Sequence, residues 1–168
     1  LNITQQMMIH IDWDGPYTLD QLKGLMNSNT EKGIYQVYGT HPVYGKDVLL
    51  YIGKTGNQTF GRRLLQEKWD NTNNYGDIKF YVGRLAGSVT PLSEVWLQEI
   101  DLAERLLIYA HKPAFNSMSL QTLPHQDLFK VHILNWGMFK QLMPEVSGLR
   151  WTNVLDDMPN YQVYGDHQ

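Results

Sequence analysis

Two short runs rich in β-branched and aromatic residues, Gly33-Ile34-Tyr35-Gln36-Val37-Tyr38 and Asp47 to Gly53, flank a turn-rich stretch from Gly39 to Lys46 that contains Pro42 and Gly45. Such runs favour extended backbone, and proline and glycine between them favour reversal, so the pair reads as a β-hairpin. A hairpin alone is marginal in water, and a third strand is needed before a sheet holds by itself. The sequence offers one at Ile78-Lys79-Phe80-Tyr81-Val82-Gly83-Arg84-Leu85, which partly alternates apolar and polar residues. The middle of the chain therefore builds a sheet, and the remaining segments must cover it.

The covering segments follow helical spacing. Phe60 to Trp69 sets Leu64 and Leu65 against Arg62, Arg63, Glu67 and Lys68, a short amphipathic helix. Pro91 to His111 carries Trp96, Ile100, Ala103, Leu107 and Ala110 in one stripe, with Pro91 suited to the first turn and Pro113 just beyond the end. Near the N-terminus, Met7 to Ile11 reads as a strand closed by Asp14-Gly15-Pro16, and Thr18 to Met26 as a helix stopped by Asn27-Ser28-Asn29. After Leu120 the pattern weakens: Leu128 to Leu134 suits a strand, while Asn135-Trp136-Gly137 and Pro144 to Gly148 break any long element. A single domain over residues 1–168 is expected, with a core at 33–116 and extensions at 1–32 and 117–168 packed on it.

A chain of 168 residues can bury roughly 70% of its unfolded surface, so it needs no staple. It has no cysteine, which removes thiolate nucleophiles, cysteine-based zinc sites and disulfides together, and weakly favours an intracellular address. No apolar run approaches the ~20 residues of a membrane-spanning helix, and no basic segment followed by an apolar one opens the chain. The expectation is a cytoplasmic protein without a membrane partner. With 14 Lys+Arg against 17 Asp+Glu the net charge is -3, so any nucleic-acid site must be a local patch. One candidate runs from Lys54 to Arg84, where six basic residues (Lys54, Arg62, Arg63, Lys68, Lys79, Arg84) meet three acidic ones (Glu67, Asp70, Asp77).

Several residues in and beyond that patch suit phosphodiester hydrolysis, which needs an activated water, neutralisation of the phosphate and a place for the leaving oxygen's charge. Glu104 has apolar neighbours at helical spacing in Leu97, Ile100, Leu107 and Ile108, so it borders a buried stripe and needs a metal or an arginine as partner. Its hard oxygens suit Mg²⁺ or Mn²⁺, which take few protein carboxylates. Arg63 offers a planar fork for phosphate oxygens, with Arg62 as second choice. Tyr35 and Tyr51 lie on paired strands and can meet on one face. A phenol with a pKa near 10 is a weak base at neutral pH and would need help from cations such as Lys54. Sequence does not separate the roles of the two tyrosines. The histidines show no metal-ligand spacing; His111 reads as a helix C-terminal residue facing the dipole, and Trp96 and Trp136 as core.

In order along the chain, Gly33-Ile34-Tyr35, Tyr51-Ile52-Gly53, Phe60-Gly61-Arg62-Arg63-Leu64, Leu102 to Ile108 around Glu104, and Pro113-Ala114-Phe115-Asn116 resemble the GIY-YIG nuclease superfamily. The resemblance spans Gly33 to Asn116, half the chain. It implies an α+β fold with a small central three-stranded antiparallel sheet flanked by helices, and cleavage of DNA with one divalent metal held by Glu104. It further implies Tyr35 as general base, Tyr51 as orienting partner and Arg63 as the site arginine, since Phe60 opens its helix and Leu64 follows it. Lys54, Arg62 and Asn116 are then expected at the substrate. Fifteen residues separate Tyr35 from Tyr51, more than is usual, and Glu67 stands where several members carry histidine. A homodimer would double the basic patch and present two centres, and RNA would meet the same chemistry. The reading from another class is a catalytically inactive nucleic-acid-binding or assembly module that keeps the fold.

Overall fold

The computed structural model describes residues 6–69, 77–120 and 126–151. Its elements are β1 (Met7–Tyr17), β2 (Gly33–His41), β3 (Gly45–Lys54), α1 (Phe60–Gln66), β4 (Lys79–Ala86), α2 (Ser93–His111), β5 (Val131–Gly137) and β6 (Glu145–Ser147). Short 3₁₀ turns occur at Gln21–Gly24, Gln126–Lys130 and Gly148–Trp151.

β2 and β3 form the expected hairpin, with Tyr35 opposite Gly53 and Val37 opposite Tyr51. β4 lies antiparallel on the other edge of β2, with Tyr35 opposite Val82. The expected three-stranded sheet flanked by helices is nevertheless not the fold. The strands join in one six-stranded mixed sheet of order β3-β2-β4-β1-β5-β6, with two α-helices among the described residues. The physical reason is the free edge of β4, whose backbone groups need partners. β1 supplies them antiparallel and then takes β5 parallel on its own far side. It is suited to that place because Ile9, Ile11 and Trp13 are buried while Met8 and Asp12 are exposed.

Other elements also depart from the sequence pattern. β1 continues past Asp14-Gly15-Pro16 to Tyr17 with a shift of register instead of ending there. Thr18 to Met26 forms one 3₁₀ turn and not a helix, although Leu22 and Leu25 are still buried; a segment this short gains little from helical hydrogen bonds beyond the cost of nucleating them. β5 starts at Val131 and runs through Asn135 instead of breaking there. Asn135 acts as a tie, accepting from Trp13 Nε1 at 2.8 Å and donating to the Met143 carbonyl at 2.8 Å.

The two faces of the sheet carry separate cores. On one, Ile9, Ile11, Ile34 and Ile52 meet Ile100, Ala103 and Leu107 of α2. On the other, Tyr35, Val37, Phe80 and Val82 meet Phe60 and Leu64 of α1 together with Leu22 and Leu25. α1 has only seven residues and is held from outside: Thr59 accepts from the Arg62 N–H at 3.3 Å, and the Gly61 N–H donates to the Leu25 carbonyl at 2.9 Å. At the end of α2, His111 accepts from the Met143 N–H through Nε2, which leaves Nδ1–H to donate to the Leu107 carbonyl. Burial lowers its pKa, so it caps the helix as a neutral donor and not as a cation facing the dipole. Trp96 packs against the core, but Trp136 is 54% exposed and stacks on His10, contrary to the expectation of a core residue. No described helix is long and apolar enough to cross a membrane.

Candidate active site

Tyr35 and Tyr51 come from neighbouring strands to the α1 face, with ring centroids 6.2 Å apart and planes inclined at 29°. A glycine makes this possible. A Cβ on Gly53 would stand 2.5 Å from both Cζ and the hydroxyl oxygen of Tyr35, and 2.7 Å from Cε1 of Tyr51. Tyr35 therefore lies across the backbone of β3 where only hydrogen can face it. Gly33 answers to packing in a similar way, since a Cβ there would come within 2.0 Å of the Gly83 carbonyl oxygen. Packing does not account for the hydroxyl of Tyr35: the residue is 1% exposed, yet its OH makes no hydrogen bond to another described residue.

Charged groups on both helices influence these phenols. Burial is the main influence on Tyr35 and holds its pKa well above the ordinary value; Arg63 pulls it down, while Tyr51, Glu67 and Glu104 push it up. Tyr51 is raised for the same reason, with Glu104 and Glu67 acting in the same sense and Arg63 and Lys54 against it. Arg63 is anchored by an ion pair to Glu67 one turn along α1. Its neighbour Arg62 is exposed and has no ion pair among the described residues, so Arg63 is the arginine that faces the tyrosines.

Glu104 lies on α2 with its side chain 15% exposed. Burial pushes its carboxyl above the ordinary glutamate value, opposed chiefly by Lys54. Lys54 Nζ lies 3.0 Å from Glu104 Oε2 and also bonds Asp101 Oδ1. The partner of Glu104 is thus a lysine, and Lys54, expected to touch phosphate, sits between two carboxylates. Asp101 in turn accepts from Arg105 Nε at 3.0 Å. Sequence reading passed over Asp101, although its place three residues before Glu104 on one helix was a usable signal. Glu104 Oε1 has no hydrogen-bond partner among the described residues. No group of three or more histidine, aspartate or glutamate side chains gathers among the described residues. A hard cation such as Mg²⁺ or Mn²⁺ would find one carboxylate oxygen here, Glu104 Oε1, beside a carboxylate whose two oxygens already face Lys54 and Arg105.

Asn116, expected at the substrate, is bound to the backbone of β3. Its Oδ1 accepts from the Ile52 N–H and its Nδ2 donates to the Ile52 carbonyl, both at 2.9 Å. The N–H groups of Ala114 and Phe115 donate to the carbonyls of Leu49 and Leu50 at 3.2 and 2.8 Å. The segment closes the outer edge of β3, and Asn116 fixes the strand that carries Tyr51, Gly53 and Lys54. The basic patch is also narrower than its residue count suggests. Lys54 and Arg63 are paired as above, and Arg84 binds Glu31 Oε2 at 2.7 Å. Arg62, Lys68 and Lys79 are exposed without an ion pair among the described residues, while Asp70, His125 and His167 lie outside those residues. No family model, no curated protein and no solved structure matches the chain.

Proposed function

We propose that this chain is a metal-dependent endonuclease of the GIY-YIG type that hydrolyses phosphodiester bonds of DNA. The observation that supports it is that Tyr35 and Tyr51, stacked on β2 and β3, both feel the charges of Arg63 from α1 and Glu104 from α2. A fully satisfied core would leave neither the Tyr35 hydroxyl nor Glu104 Oε1 without a hydrogen-bond partner among the described residues.

Arg63 binds the non-bridging oxygens of the phosphate, its guanidinium preset by Glu67. Glu104 Oε1 is the oxygen that would hold the divalent cation, which when bound supplies positive charge to the phosphate and the leaving oxygen. Lys54 keeps its bond to Asp101. Tyr35 takes the proton of the attacking water. Burial makes its phenolate costly, and Arg63 is the compensating charge beside it. Tyr51, half-buried, orients the water or the phosphate.

The test is incubation of the purified protein with supercoiled and linear DNA, with and without Mg²⁺, followed by mapping of the ends. Mg²⁺-dependent breaks at defined phosphates are expected. Binding without any break would favour the inactive binding or assembly module.

A further inference from the structure

A cavity of about 830 Å³ opens between the start of β1, the end of β4, the 87–91 loop and the first turns of α2. Its wall includes Met8, Thr30, Arg84, Thr90, Trp96 and Glu99. Two of these groups lack partners among the described residues. Trp96 Nε1 is buried with no acceptor. The Glu99 carboxylate has neither a hydrogen bond nor an ion pair, although burial pushes its pKa above the ordinary value. Arg84 does not serve it, because its guanidinium binds Glu31 and Asp14.

A chain of contacts links the cavity to the candidate active site past Gly33, the start of β2. Lys32 Nζ stands 5.8 Å from the Trp96 ring centre. The next residue, Gly33, donates its N–H to Thr55 Oγ1 at 3.1 Å and accepts from the Thr55 N–H at 3.0 Å. Thr55 follows Lys54, the partner of Glu104. On α2 itself, Glu99 and Glu104 are five residues apart, roughly 7.5 Å along the axis and about 140° around it.

We propose that this cavity receives an unpaired nucleobase of the substrate strand, one that presents an exocyclic amino group to Glu99 and rests on Trp96. The idea rests on the nucleic-acid reading above. A carboxylate only accepts hydrogen bonds, so cytosine, adenine and guanine can satisfy it, whereas thymine offers one imino N–H between two repelling carbonyls. The volume is that of a small-ligand site, and the indole provides a surface of the kind on which unstacked bases rest.

The test is fluorescence anisotropy of the full chain with a labelled ten-nucleotide thymidine strand and with the same strand carrying one central cytosine, both in EDTA so that nothing is cut. The cytosine strand should bind about tenfold more tightly, the lower part of the range for one good base contact. Glu99→Leu should abolish that difference and leave the affinity for the thymidine strand unchanged. Glu99→Gln, nearly the same shape and still an acceptor, should keep part of it. Equal binding of both strands by the wild type, or a preference that survives Glu99→Leu, would overturn the proposal. If base preference is present and Mg²⁺-dependent cleavage absent, the cavity stands and the nuclease reading falls; cleavage without base preference removes the cavity alone.

Discussion

At the scale of single residues, the glycines and the tyrosines of the two motifs have different causes. Gly33 and Gly53 are required by close approach, Gly53 because the Tyr35 ring occupies the space of its missing side chain. Gly53→Ala should therefore displace Tyr35, lowering stability by about 1 to 3 kcal/mol in chemical denaturation and lowering cleavage with it. Tyr35→Phe is the cleaner probe, since it keeps the ring and removes only a hydroxyl that has no hydrogen-bond partner among the described residues. Folding stability should change little, while the single-turnover rate should fall by ~10² to 10⁴; Tyr51→Phe should lose less. Near-normal rates in both variants would exclude either phenol as the proton acceptor. The raised pKa of Tyr35 adds a sign that can be checked: the phenolate fraction grows about tenfold per pH unit below the pKa, so the rate should still be climbing at about pH 9. A plateau near neutrality would place the base elsewhere. Lys54→Met removes the cation held between Asp101 and Glu104 and should tighten Mn²⁺ binding in calorimetry; unchanged affinity would mean that Glu104 does not hold the ion.

At the scale of elements, β2, β3 and β4 were legible from runs of β-branched and aromatic residues bounded by turn residues, and α2 from one helical stripe. The pairing of β1 with both β4 and β5 was not, because it depends on which backbone edges stay open after the central hairpin has formed. Asn135 illustrates the difference: by residue type it marks a break, but two fixed partners, Trp13 Nε1 and the Met143 carbonyl, turn it into a cross-strand tie. The candidate site divides in the same way. Tyr35, Tyr51, Arg63 and Glu104 could be picked out by order along the chain, whereas the lysine bridge to Asp101 and the clamp by Asn116 arise only from neighbours in space. That clamp makes a prediction about β3. Asn116→Ala leaves the N–H and carbonyl of Ile52 without these partners and should cost about 1 to 3 kcal/mol. Faster hydrogen exchange at the Ile52 amide would accompany a fall in cleavage; protection equal to wild type would show that the strand edge does not depend on Asn116.

At the scale of the whole molecule, a net charge of -3 and a central patch with half of its cations already paired leave little surface to hold a duplex. Each phosphate neutralised contributes about -0.9 to the slope of log affinity against log salt. Arg62, Lys68 and Lys79 together would give a slope of about -2.7 for one protomer, and a homodimer would double it to about -5.4. Sedimentation on DNA, paired with that slope, separates the two cases. The six-stranded sheet carries Tyr35 and Tyr51 on one face and packs α2 on the other, so the proposed chemistry depends on Glu104 reaching the end of β3 from across the sheet. The most direct measurement compares Mg²⁺-dependent single-turnover cleavage by wild type and Glu104→Gln, alongside DNA affinity in EDTA. The account predicts a loss of at least ~10²-fold in rate with affinity within about twofold of wild type. Cleavage by Glu104→Gln at near the wild-type rate would contradict it.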